Sequence, residues 1–475
     1  MSDYVAIIIG AWKNKVNLRN FVKHNKVKLI FVGPKELFVD NHICDYFFNV
    51  KGPSKITRKN DSAFDGFIVK LREVLSSFSY LRRYIMSFDN VLQVALSKLR
   101  VEFQLDGIDT IRMNQLITIK DMKELLKRGR ISVLKHYSLE KLTEGNINEI
   151  LTQLNCCLSQ YPIIAMPLAN RNYIDTSTDF LIVEAKDLKR WIIKRKRFND
   201  IDINTYILEE YPQDGKEFTA LISNYYSLIG IIISAFSTIP QKQLLNEAKP
   251  YSMEFLNIEN VRNYYPGLEF FLKQIQKNYF FHDIKELLFI DGIYKNQNEI
   301  FIRNISFELN TCTKGYLIEK VYNSKSWQSL SLEITQTTFL HGNCDDFKYD
   351  ESIISTNKNL YTSIINFPTV NGTLLHQQMT TFKAECKLQV LWTKVEGTEM
   401  LQSDSEDDNI LQIIISHDNR DQFSNDNTFI MNQIEIAIDK TNTGNRSDGY
   451  RSSLPQLQYT LTAPLLRRST FTHLA

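Results

Sequence analysis

Apolar residues along the chain fall into short runs whose period changes from one stretch to the next. Residues 4–10, YVAIIIG, and residues 27–33, VKLIFVG, are continuous apolar runs separated by a helical stretch. Unbroken runs of this length predict strands buried on both faces, and the spacing predicts a right-handed parallel βαβ unit. From 64 to 103 the pattern becomes that of helices with polar outer faces, as in FIVKLREVL. Residues 119–129, IKDMKELLKRG, keep helical spacing up to a glycine stop. Extended chain is expected at 131–135 and a further helix at 150–158. Residues 161–168, YPIIAMPL, predict a short strand ended by Pro167, followed by the polar loop ANRNYIDTSTD, the strand FLIVEA and a helix from Asp187. YILEEY at 206–211 and residues 216–223 predict two more strands around a PQDG turn. This α+β unit has the order of parts needed to close over a ligand. Helices are expected over 253–285. From Phe367 onward FPTVNGTLLH, FKAECKLQVLWTKVEG, NILQIIISHD and MNQIEIAID predict strands separated by polar turns.

The stretch at 298–315, NEIFIRNISFELNTCTKG, predicts a hairpin with its turn at Arg303-Asn304. That register sets Glu299 opposite Glu308, a like-charge pair that weakens a sheet unless a cation lies between the two. Asn310 shares a face with Glu308 and adds a third oxygen. Mg²⁺ takes oxygen ligands of this kind. A second register puts the turn at Asn296-Gln297-Asn298. It makes 299–310 one long strand and leaves Asp291 as the nearest alternative acid.

Composition narrows the classes. A chain of 475 residues has room for about three domains. The segmentation is 1–105, a small α/β domain; 106–360, mixed α/β and α+β; 361–443, rich in sheet; and 444–475, a polar tail expected to be disordered. The net charge of +2 argues against a general polyanion-binding field, so no nucleic-acid partner is expected. No apolar run reaches membrane-spanning length. Six cysteines without a CxxC pair read as free thiols in a reducing compartment, which predicts a cytoplasmic location and no zinc site. Gly10 is followed by AWKNK, so the dinucleotide fingerprint is absent. The acidic loop SDSEDDN reads as a solvated turn.

The order of these parts resembles the ATP-grasp superfamily and, within it, the carboxylate–amine ligases that include L-amino-acid ligases and carnosine synthase. The resemblance spans about residues 4–443. It rests on a βαβ pre-domain, the YPIIAMPL strand with its loop, EEYPQDGKE, the hairpin, and a C-terminal sheet-rich module opening FPTVNGTLL. It implies a nucleotide-clamping unit at about 161–235, a metal hairpin at about 286–315, ATP and Mg²⁺ as cofactors, and amide formation between a small-molecule carboxylate and an amine through an acyl phosphate. It leaves room for a homodimer. The family's E-x-N-x-R-x-x-G motif lands on Glu308, Asn310, Cys312 and Gly315, with the upstream metal acid on Glu299. The adenine hinge lands on Glu209, Glu210 and Tyr211, the acid after it on Glu217, and the loop over the phosphates on 170–178. An ATP lysine lands on Lys120, with Lys123 second. Two positions depart from the pattern. Met166 stands where the family carries a phosphate-binding lysine, and Cys312 where it carries an arginine. Arg171 and Lys314 are the nearest substitutes. These departures imply the alternative of a catalytically impaired nucleotide-binding or scaffold protein.

Overall fold

The structure, a computed structural model, describes residues 5–439 apart from 13, 40, 51–61, 140–148, 150, 153, 155–160, 169–179, 199–205, 213, 224–226, 278–282, 310, 342–359, 380–383 and 403–404. The expected phosphate loop at 170–178 with Arg171, the third metal oxygen on Asn310, and the tail from 444 lie outside the described residues.

Strands β1 (Val5–Gly10), β2 (Val27–Gly33), β3 (Tyr46–Asn49) and β4 (Arg82–Met86) form a parallel sheet in the order β3-β2-β1-β4. The fourth strand falls inside the stretch whose sequence reads as helix throughout. Unbroken apolar runs are needed here because both faces are covered. Ile8 and Ile30 pack on α1 (Ser62–Ser77) and α2 (Gln93–Glu102), while Ile7, Ile9 and Phe31 pack on Leu332 and Phe339 of the helix Trp327–His341.

Two short helices follow, α3 (Thr110–Ile117) and α4 (Ile119–Arg128). Asp109 caps the first, its Oδ1 accepting from the Ile111 and Arg112 amides at 2.8 and 3.0 Å. A small antiparallel sheet comes next, from β5 (His136–Ser138), β6 (Ile163–Pro167), β7 (Phe180–Ile182) and β8 (Tyr206–Glu210), in the order β5-β8-β6-β7. Alternation along β6 divides its side chains between two cores. Ile163 and Ala165 pack with Leu188, Trp191 and Ile192 of the helix Ala185–Phe198, whereas Ile164 and Met166 join the core shared with α3 and α4.

The largest sheet is antiparallel, with eight strands. It contains β9 (Lys216–Ser223), β10 (Ser227–Ala235), β11 (Tyr251–Leu256), β12 (Leu288–Asn296), β13 (Glu299–Ser306) and β14 (Tyr361–Pro368), and later in the chain β16 (Lys387–Trp392) and β18 (Asn409–His417). Their order is β13-β12-β9-β10-β11-β14-β18-β16. The remaining strands β15 (Gly372–Met379), β17 (Glu399–Met400) and β19 (Ile436–Asp439) make a three-stranded sheet. The C-terminal part is rich in sheet, as expected, but β14, β16 and β18 extend the central sheet instead of standing apart. The helix Arg420–Gln433 runs into the stretch expected as a strand. Among the described residues, no helix is long and apolar enough to cross a membrane.

Candidate functional site

The hairpin β12–β13 takes the second of the two registers. Asp291 pairs with Asn304, Tyr294 with Ile300 and Asn296 with Glu299, so the turn is at 296–299 and Arg303-Asn304 lies inside a strand. The local cause is Asn296. Its side-chain oxygen accepts from the amides of Asn298 and Glu299 at 2.9 and 3.1 Å and closes the turn. Glu299 therefore sits at the exposed tip, accepting from the Asn296 side-chain NH₂ at 2.6 Å and from the Lys295 ammonium at 3.3 Å. The expected Glu299–Glu308 pair does not form.

Asp291 takes the inner position instead. A register shift beside Gly292 re-aims the strand, and a Cβ at Gly292 would meet the Phe218 ring at 2.4 Å and the Phe301 carbonyl at 2.5 Å. Thr219, opposite Asp291 on β9, donates its hydroxyl to Asp291 Oδ1 at 2.6 Å.

Around this point lies a cavity of about 360 Å³ between the small sheet and the central sheet. Apolar walls come from Ile119, Ile164, Met166 and Phe218, and polar ones from Glu217, Asp291, Arg303, Glu308, Lys314 and Glu406. Two sets of ion pairs lie in and behind its wall. Lys123 is buried against Glu209; burial pulls its ammonium below the ordinary range, with Glu209 opposing. Arg303 reaches the other oxygen of Glu209 at 3.2 Å and Glu217 at 3.5 Å, and its Nη2 lies 3.5 Å from the Met166 sulfur. Lys314 stands between Glu406 at 3.8 Å and Asp291 at 4.0 Å. Burial acts to lower the Lys314 ammonium's pKa, but Glu406, Asp291 and Glu217 outweigh it and hold the pKa above the ordinary range. Burial likewise pushes the Glu406 carboxyl up.

Glu308 faces the parallel-sheet domain. It accepts from the Asn14 side-chain amide at 2.7 Å and from the Asn90 backbone amide at 3.2 Å, while Asn90 Oδ1 accepts from the Phe307 amide at 3.1 Å. At the hinge, the Glu210 amide donates to the Lys135 carbonyl and the Tyr211 amide to the Pro162 carbonyl, both at 2.9 Å. Pro212 has no N–H.

No family model matches the sequence, and no curated protein sequence matches it. Solved structures do. The L-amino acid ligase from Bacillus licheniformis aligns with a TM-score of 0.57 at 12% identity, over 92% of this chain and 99% of that one. The ADP complex of purK, an N5-carboxyaminoimidazole ribonucleotide synthetase, aligns with a TM-score of 0.51 at 11% identity, over 91% and 97%. The biotin carboxylase domain of the Hydrogenobacter thermophilus 2-oxoglutarate carboxylase, solved with MgADP, ADP and bicarbonate, gives a TM-score of 0.50 at 10% identity, over 92% and 91%. The chain carries the ATP-grasp fold.

Within this ATP-grasp fold the sequence-predicted residues separate. Glu217 and Glu308 line the cavity; Glu209, Glu210 and Tyr211 do not, although Glu209 reaches it through Arg303. The helix lysine that joins the ion pairs is Lys123, while Lys120 is half-buried one turn earlier. Cys312 is exposed at the start of the helix Cys312–Val321, and Lys314, two residues on, supplies the cation. The Mg²⁺ set of the first register does not assemble; Asp291, the acid of the second register, lines the cavity with Glu308, and Asn310 lies outside the described residues. Glu299 is at the tip, both Glu308 oxygens accept from amides, and an ammonium already lies beside Asp291. Among the described residues, no three His, Cys, Asp or Glu side chains group as metal ligands. Sequence reasoning missed Arg303, hidden by its assignment to a turn, and Glu406, dismissed with its loop as a solvated turn. An aspartate inside the apolar strand LFIDGIY was the available signal for Asp291.

Proposed function

We propose that the cleft binds ATP and that the protein is an ATP-dependent ligase joining a small-molecule carboxylate to an amine. The observation that carries this reading is the pair of cations, Arg303 and Lys314, inside a cavity of about 360 Å³ between the small four-stranded sheet and the central sheet of an ATP-grasp fold. Clefts of this size, apolar with a few convergent charges, are typical ligand sites. Ile119, Ile164, Met166 and Phe218 form the apolar wall suited to a base. Arg303 and Lys314 suit the phosphates, since fixed cations stabilise charge spreading over a transferring phosphoryl group. A substrate carboxylate oxygen attacks the γ-phosphorus, the bond to the β-phosphate oxygen breaks, and ADP leaves. The amine then attacks the acyl carbon, the C–O bond to phosphate breaks, and the amine proton is lost to solvent. Glu217 and Glu209 hold the Arg303 guanidinium in place for the first step. Base recognition has no N–H available at positions 210–212, so it rests on shape and on acceptors.

A second reading, a nucleotide-binding or scaffold protein without turnover, draws on a specific feature. Lys123, Arg303 and Lys314 are all paired with carboxylates of the protein itself. Calorimetry with ATP, followed by assay of ADP and phosphate release with mixed amino acids, separates the readings. Amine-dependent ADP release supports the ligase. Binding without turnover supports the nucleotide-binding form of the second reading, and no binding at millimolar ATP removes the ligase and leaves only a scaffold.

A further inference from the structure

Two carboxylates from distant parts of the chain flank one ammonium. Asp291 comes from β12 and Glu406 from the loop before β18, and Lys314 lies on the first turn of the helix Cys312–Val321. Thr311 caps that helix, its hydroxyl accepting from the Lys314 amide at 3.3 Å, and so fixes where the lysine side chain starts. The acidic loop is held in turn by Asp407, which accepts from the Thr313 amide at 3.2 Å. The Lys314 side chain is 13% exposed, so its charge is largely removed from water. Glu406 Oε2, on the ammonium side, is buried and has no hydrogen-bond donor among the described residues. Its partner is thus the charge of Lys314, 3.8 Å away.

We propose that Lys314 is the resident cation of this cleft, standing in the place of a divalent metal, so that the phosphates of a nucleotide bind here without one. This rests on the reading of the cleft as a nucleotide site. A divalent ion held by Asp291 and Glu406 would lie within a few ångström of the ammonium and be repelled by it. The lysine instead gives a monovalent point charge with three donors, which suits phosphate oxygens. Arg303 carries the neighbouring positive charge.

The test is calorimetry with ATP in excess Mg²⁺ and in excess EDTA, with Mn²⁺ titrations followed by the loss of the free-ion resonance. For the native chain, ATP affinity is expected to agree within about threefold between the two conditions. Lys314→Ala is expected to bind ATP at least about tenfold more weakly in EDTA and to regain affinity with Mg²⁺. It is also expected to take up Mn²⁺, which the native chain does not. Lys314→Arg keeps a cation and should keep EDTA-tolerant binding. ATP binding by the native chain that Mg²⁺ supports and EDTA abolishes overturns the inference and leaves the nucleotide site standing. No ATP binding in either condition overturns both. The native comparison decides the matter even where Lys314→Ala fails to fold.

Discussion

Arg303 changes the meaning of Met166. The sequence places a methionine where a phosphate-binding lysine is expected, which reads as a lost charge. In the folded chain the charge arrives from the opposite sheet, because the Arg303 guanidinium lies 3.5 Å from the Met166 sulfur and is held by Glu209 and Glu217. A thioether is the side chain that tolerates such a neighbour, being polarizable and uncharged. Met166→Lys therefore does not restore a missing cation. It adds a second one beside the first at a position only 4% exposed, with both nearby acids already engaged. The expected outcome is a loss of roughly 3 kcal/mol of unfolding free energy, the size of an uncompensated buried charge, with no gain in ATP affinity. Urea denaturation and calorimetry measure the two effects. A variant as stable as the native chain that also binds ATP more tightly would show the Arg303 assignment to be wrong.

Elements carry their own stability, and the helix Leu268–Lys277 shows how. Glu269 lies in its first turn, where a carboxylate suits the helix dipole. The hydrogen bond from Arg262, with a further one from Lys273, outweighs burial and pulls the Glu269 carboxyl down to about 2. A folded-state pKa below the unfolded value means stability that is present above about 4.5 and lost as pH falls toward 2. Arg262 is 60% and Lys273 44% exposed, so solvent screening cuts the contribution to roughly 1 kcal/mol. Glu269→Gln should lower stability by that amount at pH 7 and by nothing once pH is well below 2. A deficit that persists at acid pH would mean lost packing, not lost charge. The same scale explains what was legible beforehand. The parallel strands at 5–10 and 27–33, the strand at 163–167 and the pair at 206–210 and 216–223 all follow from apolar runs and their bounding residues. The hairpin register did not. Ile300, Ile302 and Ile305 are apolar in either register, and both turns contain asparagine, so local pattern could not choose between them. The choice came from the Asn296 turn and from pairing with β9, a long-range contact. The acidic loop was invisible for a similar reason. Thr313 and Asp407 meet across 94 residues of sequence, and nothing local to either announces it.

At the scale of the whole molecule, the parallel-sheet domain is held from outside its own sequence. The helix Trp327–His341 covers one face of its sheet. The buried Arg100–Glu286 pair, 2.9 Å apart, ties α2 to the segment before β12. Glu308 adds the tie nearest the cleft. Its two oxygens accept from the Asn14 side chain and the Asn90 backbone, and Asn90 closes the loop by accepting from Phe307. Glu308→Gln keeps the shape but removes the charge, and its NH₂ group is met only if Asn14 turns its side-chain amide over. Two hydrogen bonds to a carboxylate become neutral ones, so the seam should weaken by about 1 kcal/mol. A metal-binding carboxylate would respond in the other direction, since removing its charge relieves repulsion in the ligand-free protein. The effect should also be local. Amide exchange at Asn90 and Phe307, whose N–H groups belong to the seam, should quicken, while exchange at Ile8, in the middle of the parallel sheet, should hardly change unless the whole chain opens. Hydrogen exchange read residue by residue, together with urea denaturation, tests both halves. Equal or greater stability in Glu308→Gln with unchanged exchange at Asn90 and Phe307 would show that Glu308 does not join the two halves of the cleft.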